Sequence, residues 1–249
     1  MGRIFLAFLL GAQIFVCRPT FAYSPTKHFF TGSADAFKGS NKWVWLGGLT
    51  LTSVAFIYDH DIYNYYGGKE KEEFPDAVGD SMGTGIPGAS LAVLTMGVGW
   101  LFDSKKVLGA GQAHAEALVA TFTYTSILKL MIERDRPQEF APNETAENQF
   151  NASFPSGHTS TAFATAGSMM ASGGPWVGIP FLALAGLTGY SRVQQRAHYA
   201  GDVIFGATLG YTMGYGFYQH HKGGKTLGWN IWPYFENRES FGVAFYNTF

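Results

Sequence analysis

The 249-residue sequence predicts an all-α fold, a helical bundle embedded in a membrane and closed by a short C-terminal β-hairpin-like appendage. Three observations predict it. Six apolar segments, each twelve to eighteen residues long, recur between polar connections and are rich in Gly, Ala, Ser and Thr, which suits close helix packing. Charged residues make up only 14% of the chain against 47% apolar, where soluble domains carry roughly 25% charge. The stretch Thr159 to Ser191 holds no charged residue at all, although a soluble bundle needs charge on its outer faces.

Taken in order, Met1 to Ala22 begins with Arg3, continues with an apolar run from Ile4 to Val16, and ends with a small residue before Tyr23. This is the pattern of a secretory signal peptide over residues 1–22, and the run is short for a membrane span. An uncleaved anchor is the alternative. Tyr23 to Lys42 is a mixed entry segment with the character of an interfacial amphipathic helix. The apolar segments follow as Trp43–Tyr58, Pro87–Phe102, Ala115–Ile132, Ser160–Ala171, Trp176–Tyr190 and Val203–Tyr218, the fourth and fifth joined at Gly173-Gly174-Pro175. Several fall near or below the ~20 residues needed to cross a bilayer, so a soluble periplasmic bundle stays open.

Asp59 to Gly85 is a polar connection with short helices. Its Asp59-His60-Asp61 is no metal site, because three adjacent residues cannot converge on one ion from a regular element. Gln138 to Asn151 is a polar loop placed to cap whatever lies beside it. The aromatic tail, residues 223–249, reads as strands Trp229–Phe235 and Phe241–Phe249 around a turn. One domain, residues 23–222, therefore carries the function.

Composition excludes several classes. Cys17 is the only cysteine and falls inside the signal peptide, which removes disulfides, thiol catalysis and cysteine metal sites from the mature chain. Loss of Arg3 and Arg18 takes the 17 basic residues to 15, against 18 acidic, so nothing points to nucleic acid.

Chemistry concentrates in three stretches. Lys129 and Arg136 lie two helical turns apart, followed by Pro137, and two cations on one face hold an anion between them. Pro155-Ser156-Gly157-His158 is a turn opening a small-residue helix. There Gly157 admits close approach of an anion to backbone N–H groups, Ser156 adds a hydroxyl, and His158 can protonate a leaving oxygen. Ser191-Arg192 precedes His198 and Asp202, which stand at i and i+4. A carboxylate there accepts Nδ1–H and frees Nε2 to attack. Each stretch alone has an ordinary explanation: a self-paired charged helix end, a capped turn, a surface His–Asp contact. All three in this order suit phosphoryl transfer, where positioning and charge stabilisation do most of the catalysis.

These residues, Lys129-x6-Arg136-Pro137, Pro155-Ser156-Gly157-His158 and Ser191-Arg192-x5-His198-x3-Asp202, resemble the signature of the type 2 phosphatidic acid phosphatase superfamily at every position. That family includes bacterial class A acid phosphatases and vanadium haloperoxidases, and the resemblance runs from about Ser90 to Tyr218. It implies the helical phosphatase bundle, with Lys129, Arg136 and Arg192 binding phosphate and Ser156 and Gly157 supporting it. It also implies His158 as general acid, His198 as the phosphohistidine nucleophile and Asp202 orienting it. No cofactor and no metal are implied.

The expected function is hydrolysis of a lipid phosphate or pyrophosphate (phosphatidic acid, phosphatidylglycerophosphate, polyprenyl pyrophosphate or lipid A). The expected place is a bacterial envelope membrane with the site facing the periplasm. A periplasmic acid phosphatase for soluble esters, a vanadium-dependent haloperoxidase and a non-enzymatic membrane scaffold are the alternatives.

Overall fold

The computed structural model describes residues 25–137, 152–222, 229–237 and 240–247, with side chains over 29–137 and 152–222. The signal-peptide expectation, the Gln138 to Asn151 loop and the side chains of the aromatic tail lie outside the described residues. Among the described residues, helices follow as α1 (Pro25–Asp35), α2 (Asn41–Tyr65), α3 (Glu73–Gly83), α4 (Ile86–Leu101), α5 (Lys105–Ile132), α6 (Gly157–Gly173), α7 (Pro175–Gln194) and α8 (Ala200–Lys222). Beyond them the backbones of β1 (Trp229–Asn237) and β2 (Ser240–Asn247) pair antiparallel, Trp229 opposite Asn247.

All six apolar segments are helices, but two run longer than their apolar cores suggest. α2 carries its polar end through Asp59 to Tyr65, and α5 starts at Lys105, ten residues before Ala115. The α5 start is fixed by Ser104, whose hydroxyl accepts the Val107 N–H at 3.4 Å as an N-cap. Its end falls at Ile132 rather than at Pro137, because Glu133 turns into the left-handed region at φ 48°. Lys129 and Arg136 therefore do not share a helical face. One stands on the helix and the other on the extended strand of chain that leaves it.

α8 is the axis of the bundle. Gly206, Gly210 and Gly214 lie one above another on it, as four-residue spacing dictates, and face Ser160, Ala164 and Ser168 of α6. A Cβ on Gly210 would sit 2.0 Å from the Ser160 carbonyl oxygen, and one on Gly214 would sit 2.1 Å from that of Ala164. Only glycine allows the two backbones to approach this closely. The other faces of α8 pack Leu209, Met213 and Phe217 against Ala36, just past α1, and Ala113, Ala117 and Ala120 of α5.

α5 ends, α6 begins, α7 ends and α8 begins at one end of this bundle, and the signature residues sit there. α3 crosses the same end and bends by 54° into α4 at the Thr84-Gly85 break, where Gly85 has φ 80°.

Candidate active site

The signature residues come together at that end from four separate elements. His198 lies in the tight connection between α7 and α8, with Gln195, Arg196, Ala197 and His198 N–H groups turned back onto carbonyls of α7. Both Ala197 and His198 donate to the Arg192 carbonyl, at 3.0 and 3.2 Å, which ties the histidine loop to the arginine that precedes it. His198 is thus outside any helix, and its closeness to Asp202 comes from the loop rather than from a shared helical face.

The His198–Asp202 relationship differs from the direct hydrogen bond expected of that spacing. Nδ1 is 3.9 Å from Asp202 Oδ2, beyond hydrogen-bond range. Ser153 stands between them: its hydroxyl donates to Oδ2 at 2.5 Å and lies 3.4 Å from His198 Nδ1. A proton on Nδ1 then faces the Ser153 oxygen, while Nε2 keeps its lone pair. The Tyr199 N–H donates to the same Oδ2 at 3.0 Å.

His198 is fully enclosed, and burial pushes its pKa down to about 4, helped by the nearby charges of Arg136 and Lys129 and opposed by Asp202. A neutral imidazole is the nucleophilic form, so an acid limb set by this group should lie near pH 4 and activity should not fall through it above that pH. A kcat/KM profile measures this; an inflection near 6.5 assigned to His198 would contradict it.

Three cations surround this pair. Lys129, buried on the last turn of α5, donates to the Ala152 carbonyl, and Arg136 Nη1 reaches the Ala197 carbonyl at 3.5 Å. Arg192 is buried at the end of α7 and donates through Nε and Nη2 to the Ser191 hydroxyl, at 3.2 and 2.8 Å. The charges of Arg192, Arg136 and Lys129 all act on His158, which sits in the first turn of α6. Ser156 precedes that helix with its own N–H bonded to the Asp202 carbonyl at 3.1 Å, which locks the second stretch onto the third.

Four residues were missed by sequence reasoning. Ser153 is two residues before the Pro155 turn and looked like loop. Arg134 looked like part of a self-paired string, yet it pairs with Asp202 at 2.6 Å and with Asp59 at 2.8 Å. Asp59 is buried at the polar end of α2. Asp80 of α3 takes Arg192 Nη2 at 2.6 Å while its own side chain stays 66% exposed. The one available signal was an acidic residue closing an otherwise apolar helix, at Asp59.

α3 lies so close over the site that a Cβ at Gly83 would sit 2.2 Å from the His158 ring, and one at Gly79 would sit 2.1 Å from the Ser191 hydroxyl. If Arg192 binds phosphate, as the signature implies, Asp80 occupies a side of its guanidinium that an oxygen would approach. Asp80→Asn should tighten inhibition by inorganic phosphate about threefold, since one negative charge leaves the partly screened mouth. Unchanged or weaker inhibition would show that Asp80 does not compete with phosphate.

Comparison with known proteins concerns the sequence range and the fold. Residues 112–224 match the family model of the PAP2 superfamily, a range that holds all eight signature positions but neither Asp59 nor Asp80. A lipid A 1-phosphatase of Porphyromonas gingivalis is 41% identical over 76 residues, covering 29% of this chain and 16% of that protein. The chain thus matches about a sixth of the length of that curated relative. The fold is similar to the crystal structure of a transmembrane PAP2-type phosphatidylglycerolphosphate phosphatase from Bacillus subtilis, with a TM-score of 0.56 and 23% identity. That match covers 74% of this chain and 96% of the other. Over residues 112–224 the chain is thus similar to the PAP2 superfamily.

Proposed function

We propose that the protein is a metal-independent phosphatase of phosphorylated lipids that works through a phosphohistidine on His198. One observation carries this: the Ser156 N–H on the Asp202 carbonyl, Arg136 on the Ala197 carbonyl, and the Ala197 and His198 N–H groups on the Arg192 carbonyl bring both histidines and the cations to one end of the bundle. A bound phosphate would find an acid on one side, a nucleophile on the other, and positive charge around its equatorial oxygens.

In the first step His198 Nε2 bonds to phosphorus as the P–O bond to the leaving group breaks. His158 gives its proton to the departing oxygen. In the second step water attacks phosphorus, His158 takes a proton from that water, and the P–N electron pair returns to Nε2 with release of phosphate. Ser153 and Asp202 hold the Nδ1 proton in place through both steps. Ser156 and the N–H groups opening α6 support the phosphoryl oxygens.

The lipid assignment rests on the outer surface. Large apolar side chains stand exposed along α2, α4, α5 and α7, among them Leu51, Ile57, Val93, Leu94, Phe122, Met131 and Ile179, with Trp176 93% exposed. So many exposed apolar side chains on four helices fit a nonaqueous partner. By length and composition α5 is the one described helix able to cross a bilayer alone, and the bent pair α3–α4 passes together. We place the bundle in a bacterial envelope membrane with the signature end facing the periplasm. A phosphorylated lipid headgroup then meets the site at the interface.

The test is phosphate release by purified protein in detergent with excess chelator. Phosphatidic acid, phosphatidylglycerophosphate, polyprenyl pyrophosphate, lipid A and a soluble ester form the panel. Release from a lipid supports the assignment and names its headgroup. Release from the soluble ester alone moves the protein to the acid-phosphatase reading, and silence throughout overturns the hydrolase.

A further inference from the structure

Beside the His198–Asp202 couple sits an ion cluster that the reaction above does not use. Arg134 Nη1 donates to Asp202 Oδ1 at 2.6 Å, and Nη2 donates to Asp59 Oδ2 at 2.8 Å. The guanidinium lies between two rings, its carbon 4.3 Å from the Tyr199 centroid and 4.8 Å from that of Phe56. Asp59 Oδ1 in turn accepts the Gly201 N–H, in the first turn of α8, at 2.9 Å. The Arg134 carbonyl accepts the Ser153 N–H at 2.7 Å, so the same residue also fixes the serine that bridges His198 and Asp202.

The division of labour on Asp202 is explicit. Oδ2 serves Ser153 and the Tyr199 N–H, while Oδ1 is held by Arg134 alone among the hydrogen bonds above. Without the guanidinium the buried carboxylate loses the ion pair that holds Oδ1 and is free to rotate away from Ser153. A planar fork suits the task, because it spans two carboxylates on different helices while stacking between rings. Asp59 matters because it anchors the far side of that fork to α2, outside the family-matched region.

Building on the His198 nucleophile above, we propose that Arg134 and Asp59 form a positioning pair that fixes the Asp202–Ser153 relay and thereby the attacking tautomer of His198. Neither residue touches the substrate; both act through Asp202.

Three variants test this in the full-length protein in detergent: Arg134→Gln, Arg134→Lys and Asp59→Asn. Arg134→Gln should lower kcat about a hundredfold with KM within about threefold, since the phosphate cations are untouched. Loss of a positive charge beside Asp202 should also raise the acid limb belonging to His198 towards its ordinary range. Arg134→Lys keeps the charge but not the fork, so it should leave that limb in place and recover part of kcat. Asp59→Asn should cost about tenfold. The double variant Asp59→Asn with Arg134→Gln should be no slower than Arg134→Gln alone, because Asp59 acts through the arginine.

A readout independent of turnover separates this proposal from the phosphatase assignment. Nitrogen-15 NMR of labelled histidine, with His198 assigned by His198→Asn, reports whether Nδ1 or Nε2 carries the proton. Wild type should show Nδ1–H, and Arg134→Gln should show a mixture and a raised titration midpoint. An unchanged tautomer and midpoint in a folded Arg134→Gln protein would overturn the positioning role, whether or not the wild type releases phosphate. Additive losses in the double variant would overturn the pairing of Asp59 with Arg134.

Discussion

Replacing His198 with alanine should lower phosphate release by about 10⁴-fold or more and leave the bundle folded. The loss is large because no neighbour can stand in for the nucleophile. Asp202 is held back by Ser153, the Tyr199 N–H and Arg134, and the Lys129 and Arg136 side chains are cations with no lone pair to offer at neutral pH. The fold survives for the same reason. Removing the imidazole leaves Asp202 with three donors, and the backbone of the loop is tied to Arg192 by its own N–H groups rather than by the side chain. Phosphate release in detergent and thermal unfolding of the same preparation measure the two halves. Activity within tenfold of wild type would place the nucleophile elsewhere, and loss of the folded protein would show that His198 holds the structure together.

How much of this was legible in the sequence divides along the range of the interactions. Apolar segments identified six helices because burial leaves a local pattern, and the signature residues identified the site because their chemistry is written in short spacings. Helix ends were less legible. Pro137 looked like the stop for α5, but the backbone had already turned at Glu133, four residues before it. That turn frees Arg134 to point back into the bundle, which a regular helix through Arg136 would not allow.

The Asp59–Arg134–Asp202 cluster was hidden because its partners stand 75 and 68 residues apart along the chain. Each residue also has a sufficient local explanation: Asp59 beside Asp61, and Arg134 between Glu133 and Asp135. Ser153 was hidden in the opposite way. A serine near a turn is so common that nothing distinguishes the one whose hydroxyl separates a histidine from its carboxylate. The His-x3-Asp spacing was right about proximity and wrong about contact. Four residues bring the two side chains together, but the bend at Ala197 to Tyr199 leaves room for the serine between them.

Arg192→Ala should cost about 10³-fold in kcat/KM, the second largest effect expected here. Of the three cations proposed to bind phosphate, this one presents a fork whose Nη2 is held by Asp80 and Ser191 in the resting site. When phosphate displaces Asp80, the guanidinium keeps its Ser191 contact and exchanges one anion for another, so its orientation is prepared in advance. Lysine cannot repeat this: its ammonium is a point charge on a flexible stem, and it cannot serve Ser191 and phosphate in one plane. Arg192→Lys should therefore recover only about tenfold of the loss.

The fold should tolerate either change, because the partner left behind, Asp80, is mostly exposed and finds water. The two carboxylate contacts at this end of the bundle then have opposite consequences. Asp202 is buried and needs its arginine, whereas Asp80 is exposed and gives its arginine up. In an Arg192→Ala background Asp80→Asn should no longer alter phosphate inhibition, since the cation they compete for is gone. Persistence of the Asp80 effect there would mean that Asp80 repels phosphate through His158 or Arg136 instead, and that the resting pair is not the element that substrate displaces.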